Sequence, residues 1–145
     1  VHAEAGIDEL CSLSLNHIVS VHGEATLQLD PAQFGCAPAP LDTLAGDKPA
    51  GAARIVEALL SNEGARAQEE TVLLNAAAVL VLAEMEDDLH AAVERCRRAL
   101  RSGAAMRLLG GLREHARARR YARVALKPAT ATTTATTATS QEVTL

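Results

Sequence analysis

Two adjacent carboxylates near the start of the sequence, Asp8 and Glu9, are the residue types best suited to chemistry. Carboxylate oxygens are the ligands that hard divalent cations take. On a regular strand neighbouring side chains point to opposite faces, so the two can serve one cation only where the backbone turns. Gly6, just upstream, permits such a turn because it lacks a Cβ. On these residues alone, a solvated turn at a strand edge is the commoner identity of an Asp-Glu pair, and Gly-x-Asp-Glu occurs by chance in many proteins.

The other reactive types are dispersed. Cys11, Cys36 and Cys96 are odd in number and contain no C-x-x-C pair, which argues for a reducing compartment and against zinc. His2, His17, His22, His90 and His115 are equally scattered, without the spacing of a histidine metal site. Asn75 lies in an apolar helical run, where it is expected to hydrogen-bond neighbouring backbone and fix how that helix packs. Leu109-Gly110-Gly111 is a lone glycine pair with no strand before it, unlike a phosphate loop. Arg113, Arg117, Arg119, Arg120, Arg123 and Lys127 make a basic run, but only Tyr121 is near for base stacking, so a solvated helix face is expected.

The elements that must position Asp8 and Glu9 follow from periodicity. Up to about Leu29 the chain is strand-like: Leu13 and Leu15, Val19 and Val21, and Leu27 and Leu29 alternate with polar residues, and His22-Gly23-Glu24 suits a hairpin turn. Asp30-Pro31 is a helix start, with Asp as cap and Pro at the first position, cut short by Gly35, Pro38 and Pro40. Residues 41–50 read as a connecting loop. Four helices are expected beyond it. Ile55, Val56, Leu59 and Leu60 form the stripe of one that ends at Asn62. Glu69 to Glu84, apolar nearly all round, is expected to be central. Asp87 or Asp88 caps a third, with Leu89, Ala92, Val93, Cys96 and Leu100 on one face and Gly103 as its stop; Ala104, Leu108, Leu109 and Leu112 begin a fourth.

The 145 residues suffice for one domain with a substantial core, and that core must be aliphatic, because Tyr121 and Phe34 are the only aromatic side chains of the Phe, Tyr and Trp class. A net charge of −4 gives no global drive toward nucleic acid or anionic membrane. The longest apolar stretch, Val72 to Ala83, falls short of a membrane span and is interrupted by Asn75. The sequence opens on Val1 and already reads as the middle of a fold, so a longer parent protein is expected. From Pro128 a Thr/Ala run has no apolar face to bury and is expected to be disordered.

Three stretches, in order, resemble the C-terminal part of anthranilate phosphoribosyltransferases. Val1-His2-Ala3-Glu4-Ala5-Gly6-Ile7-Asp8-Glu9-Leu10 matches that family's Val-His-Gly…Gly-Leu-Asp-Glu segment. Leu29-Asp30-Pro31-Ala32-Gln33-Phe34-Gly35 is followed by Leu44-Ala45-Gly46-Asp47. Val72-Leu73-Leu74-Asn75-Ala76-Ala77 is completed by Ser102-Gly103-Ala104 and Leu108. Two positions depart from the pattern: Gly51-Ala52-Ala53 stands where the family opens a helix with Asn-Ala, and Asn62 where it ends that helix with Gly. Both concern helix capping.

The resemblance implies an α/β fold, a C-terminal fragment of the nucleoside phosphorylase/phosphoribosyltransferase-type large domain with edge strands followed by a helical layer. Residues 1–112 would belong to it, 113–127 would be a basic helical extension, and 128–145 the Thr/Ala tail. The family transfers phosphoribosyl from phosphoribosyl pyrophosphate to anthranilate in tryptophan biosynthesis and requires magnesium. By similarity Asp8 and Glu9 are magnesium ligands, and His2 matches a family histidine. The phosphate loop and the anthranilate-contacting residues lie upstream in this family, so the 145-residue chain alone is expected to be inactive. The implied partners are the two small substrates, with no nucleic acid and no membrane; the full-length protein would be a homodimer. Its location would be the plastid stroma in a plant or alga and the cytoplasm otherwise. The rival readings are a pyrimidine nucleoside phosphorylase-like fragment and a non-catalytic helical interaction module.

Overall fold

The computed structural model describes residues 1–21, 26–46 and 48–125, with side chains as far as 119. The hairpin turn expected at His22-Gly23-Glu24 and the Thr/Ala tail lie outside the described residues.

Three short strands, β1 (His2–Ala3), β2 (Asn16–Val19) and β3 (Thr26–Leu29), form an antiparallel sheet in the order β1-β2-β3. The register pairs His2 with His17 and Ala3 with Asn16, then Asn16 with Leu29 through to Val19 with Thr26. The strand-like alternation at Leu13 and Leu15 does not become a strand: residues 10–15 are irregular, and β2 begins at Asn16. The reason is that Asn16, wholly buried, draws this segment into a loop around its own carboxamide.

After the sheet, Asp30 accepts a hydrogen bond from the Ala32 N–H at 2.9 Å and starts a single 3-10 turn, Pro31–Phe34, with Pro31 first and Gly35 in the left-handed region (φ 77°) as its stop. The expected loop at 41–50 contains a further 3-10 turn, Leu41–Leu44, and the start of α1 (Pro49–Leu60). No side chain caps α1: Lys48 holds the cap position without a hydrogen bond, consistent with the departure noted at Gly51-Ala52-Ala53. At its other end Asn62 takes φ 62°, and the Glu63 N–H returns to the Ala58 carbonyl at 2.8 Å.

Three more helices follow: α2 (Arg66–Leu82), α3 (Leu89–Arg101) and α4 (Ala104–Ala125). Asp88, not Asp87, caps α3, accepting from the Ala91 N–H at 2.9 Å, and Gly103 stops it at φ 70°. α2 packs on α3, and the core joins Leu10, Leu74, Ala77, Ala92 and Val93, with Ile18, Phe34, Leu80, Val81, Leu89 and Cys96 around it. This core is aliphatic, as composition requires. α2 is not buried all round, however: Val72, Val79 and Leu82 are 44%, 63% and 84% exposed. Its inner face is taken up by α3 and by residues 10–12; the 3-10 turn Leu41–Leu44 also touches α2, with Gln68 donating to the Thr43 carbonyl at 2.8 Å, and Val72 and Val79 border an open groove.

The chain separates into two compact units, the first Val1–Gly110 and the second beginning at Gly111. All the site geometry below lies in the first. No described helix is long and apolar enough to cross a membrane.

Candidate functional site

The acidic pair stands on a tight reversal of the chain. The Gly6 N–H donates to the Ala3 carbonyl and the Ala3 N–H to the Ile7 carbonyl, both at 2.8 Å. Gly6 makes this possible by adopting φ 82°, where an L side chain is strained. The strand therefore ends at Ala3, and Asp8 and Glu9 fall in the bend that follows. Freed from strand alternation, both carboxylates are exposed, the Asp8 side chain to 96%. His2 Nδ1 lies 3.9 Å from Asp8 Oδ1, a loose contact between two solvated groups.

What holds this bend is the segment immediately after it. The Leu10 N–H donates to Asn75 Oδ1 at 3.1 Å, and Asn75 Nδ2 donates to the Leu10 carbonyl at 2.7 Å and to the Thr71 carbonyl at 2.9 Å. Two residues on, the Ser12 hydroxyl donates to the Ala67 carbonyl at 3.0 Å, and the Ser12 N–H donates to Thr71 Oγ1 at 3.2 Å. Ala67, Thr71 and Asn75 are spaced four apart, so they form one stripe of α2 that grips residues 10–12. From the other side Asn16 accepts from the Cys11 N–H at 2.7 Å and donates to the carbonyls of Cys11 and Ser14 at 2.9 and 3.0 Å. The expected role of Asn75 in fixing helix packing is what the structure shows, extended to the segment that carries the acidic pair. Ser12, Asn16 and Thr71 were not singled out from sequence; the signal that could have found them is the four-residue spacing of Thr71 and Asn75 in an otherwise apolar helix.

Glu9 also borders an open groove of about 600 Å³ with Ile7, Leu44, Thr71, Val72, Asn75, Ala76 and Val79. A second cavity, about 360 Å³, lies near Phe34, Arg66, Glu70, Arg97 and Arg101. There Glu70, buried on α2, accepts from Arg66 Nε at 2.6 Å and from the Ala37 N–H at 3.2 Å, while Arg66 also donates to the Gly35 carbonyl at 2.9 Å. The partners at that second cavity largely satisfy one another, and their role is to tie the loop after Gly35 to α2. Cys36, beside Glu70, is pushed up to about 11 by burial and then by the carboxylate, and burial raises the Cys96 thiol. Both thiols are therefore protonated and poorly nucleophilic near neutrality.

Among the described residues no three His, Cys, Asp or Glu side chains converge. The donor set of Asp8 and Glu9 nonetheless fits magnesium in kind, because that ion keeps several waters and takes only one or two carboxylates plus substrate phosphates.

Residues 1–106 match the sequence profile of the glycosyl transferase family, a/b domain. The anthranilate phosphoribosyltransferase of Roseiflexus castenholzii is 36% identical over 109 residues, 73% of this chain and 32% of that protein. That of Chloroflexus aurantiacus is 37% identical over 112 residues, 75% and 33% of the two. Among solved structures, the Thermus thermophilus enzyme superposes with a TM-score of 0.66 at 33% identity, covering 72% of this chain and 31% of that one. The Saccharomyces cerevisiae enzyme in complex with PRPP and Mg shares the fold at a TM-score of 0.65 and 23% identity, over 73% and 31%. The chain thus spans about a third of the length of the curated relatives it matches. Profile, relatives and superposed fold agree, and the chain belongs to the glycosyl transferase family through its a/b domain, with anthranilate phosphoribosyltransferases as its relatives.

Proposed function

We propose that this chain supplies the magnesium-binding carboxylates, Asp8 and Glu9, of an anthranilate phosphoribosyltransferase. The observation that carries the reading is the anchored bend: Gly6 reverses the strand, Asn75 and Ser12 pin residues 10–12 to α2, and the acidic pair is held out toward solvent. Carboxylates placed so can be approached by a hydrated cation carrying a substrate's phosphates without first being dug out of the core.

In the proposed reaction the amino nitrogen of anthranilate bonds to C1 of the ribose, the bond from C1 to the pyrophosphate oxygen breaks, and the nitrogen loses a proton. Magnesium, when bound, would neutralise charge on the departing pyrophosphate. The chain's own contribution is to fix where two negative charges sit. Rigid placement matters because a ligand that must be ordered at the moment of reaction spends binding free energy on its own ordering. The residues that grip phosphate and anthranilate are expected on the two thirds of the fold that the relatives carry beyond the matched part. The reading also carries a homodimeric complete protein, in plastid stroma or cytoplasm according to source.

The test is an assay of the complete enzyme containing this segment, with anthranilate and phosphoribosyl pyrophosphate, titrated with magnesium. Asp8→Asn with Glu9→Gln should raise the magnesium needed for half-maximal rate at least tenfold. An unaltered magnesium dependence overturns the assignment.

A further inference from the structure

Arg97 and Arg101 stand four apart on α3, so their side chains share one face of that helix. With Arg66, at the start of α2, they border the 360 Å³ cavity beside Phe34 and Gly35. Arg66 is engaged there with Glu70 and the Gly35 carbonyl. The other two take no part in that tie. The Arg97 side chain is only 22% exposed, and its carboxylate partner, Glu94, is an exposed residue that does not line the cavity. Arg101 has no side-chain partner among the described residues. Like charges at i, i+4 repel, and burial strengthens the repulsion because salt screens it less. An anion between the two guanidinium groups relieves it.

We propose that this cavity binds the phosphate group of a small molecule, held by Arg97 and Arg101 with Arg66 at its edge. A guanidinium presents five N–H donors in a fixed fork, and Arg97 spends one of its own on Glu94. Such forks match the several oxygens that a phosphate offers from one centre. The volume lies at the lower end of ligand pockets, about 300–1,000 Å³, which leaves room beside the phosphate for a short organic residue. Phe34, stacked on His90 with ring centroids 4.3 Å apart, gives that residue an apolar wall. Two carboxylates also line the cavity. Glu70 is already engaged by Arg66 and by the Ala37 N–H, so Glu69 is the one that opposes an anion. The site is independent of the magnesium reading, since it shares no lining residue with the groove that Glu9 borders.

The test titrates the 145-residue chain with inorganic phosphate by calorimetry, with ionic strength held constant. Saturable binding with a Kd of about 1 mM or tighter is expected. Arg97→Met and Arg101→Gln should each weaken it at least fivefold, and Glu69→Gln should tighten it at least twofold. Arg98→Gln removes the same charge from an exposed α3 position outside the cavity and should change the Kd by less than twofold. Succinate, whose two charges sit on separate carboxylates, should bind at least tenfold more weakly. Cys36 gives a local readout. Its thiol, pushed up by burial and Glu70, is drawn down by Arg97 and Arg66. A bound anion cancels that pull, so saturating phosphate should slow Cys36 alkylation at least threefold in the parent chain and not in Arg101→Gln. Circular dichroism checks each variant, and if Arg97→Met does not fold, Arg101→Gln at its exposed position decides alone. A titration that fails to saturate overturns the proposal. So do equal weakening by Arg98→Gln, succinate binding as tight as phosphate, or Cys36 alkylation that ignores phosphate.

Discussion

Asn75 and Leu10, 65 residues apart, bind each other twice: Asn75 Oδ1 accepts the Leu10 N–H and Asn75 Nδ2 donates to the Leu10 carbonyl. A carboxamide presents a donor and an acceptor side by side, as a peptide group does, so it can complete the backbone of a residue that no strand reaches. Leu10 needs that service because its own side chain is buried in the core while its backbone lies outside the sheet.

Replacing Asn75 by Leu should therefore strand one N–H and one carbonyl in a half-buried position. Each unmet group costs about 1–3 kcal/mol, so for the two a loss of roughly 2–6 kcal/mol is expected. Asn75→Asp keeps the acceptor and loses both donated bonds, and should fall between the two. Urea unfolding followed by circular dichroism measures the order; equal midpoints for all three proteins would contradict it.

The acidic pair should behave in the opposite way. Asp8 and Glu9 are exposed, and neither supports another residue's packing, so Asp8→Asn with Glu9→Gln should change stability by less than about 0.5 kcal/mol. A pair that fails to stabilise the fold yet sets the magnesium requirement is what separates a ligand from a structural turn.

Cys36 makes stability depend on alkaline pH. Its folded value is raised, to about 11 from 9.0, by burial and by Glu70. The folded state therefore holds the proton more tightly than the unfolded chain. Its contribution is complete below pH about 9 and is lost as pH rises through about 11. The urea midpoint should fall across that window more steeply than in Cys36→Ala. Alkylation of Cys36 at pH 8 should correspondingly lag behind a free peptide thiol.

Gly64 is required by space rather than by φ. A Cβ there would stand 2.5 and 2.9 Å from the Leu59 side chain and 3.0 Å from its Cα, and Leu59 is buried. Gly64→Ala should cost about 1–3 kcal/mol through displacement of Leu59. In a Leu59→Ala background the same change should cost much less, a non-additivity read directly from a double-mutant cycle.

The sequence by itself determined the features whose cause lies within a few residues. Asp30-Pro31 with Gly35, Asp88 before Leu89, Asn62 after α1 and Gly103 after α3 each act where local chemistry places them, because caps and left-handed stops involve groups one to four residues apart. The acidic pair and its Gly6 turn were legible for the same reason, as was an aliphatic core. Tertiary structure alone decided the rest. Leu13 and Leu15 alternate as a strand would, yet buried Asn16 folds them into a loop through hydrogen bonds to Cys11 and Ser14. Apolarity on all sides of α2 predicted complete burial, but periodicity cannot say which neighbours are present, and one side borders an open groove lined also by Ile7, Glu9 and Leu44. That Ser12, Thr71 and Asn75 converge on the segment behind Asp8–Glu9 depends on a chain return of about sixty residues, and the free energy of such a contact is set by burial and geometry that no local pattern encodes.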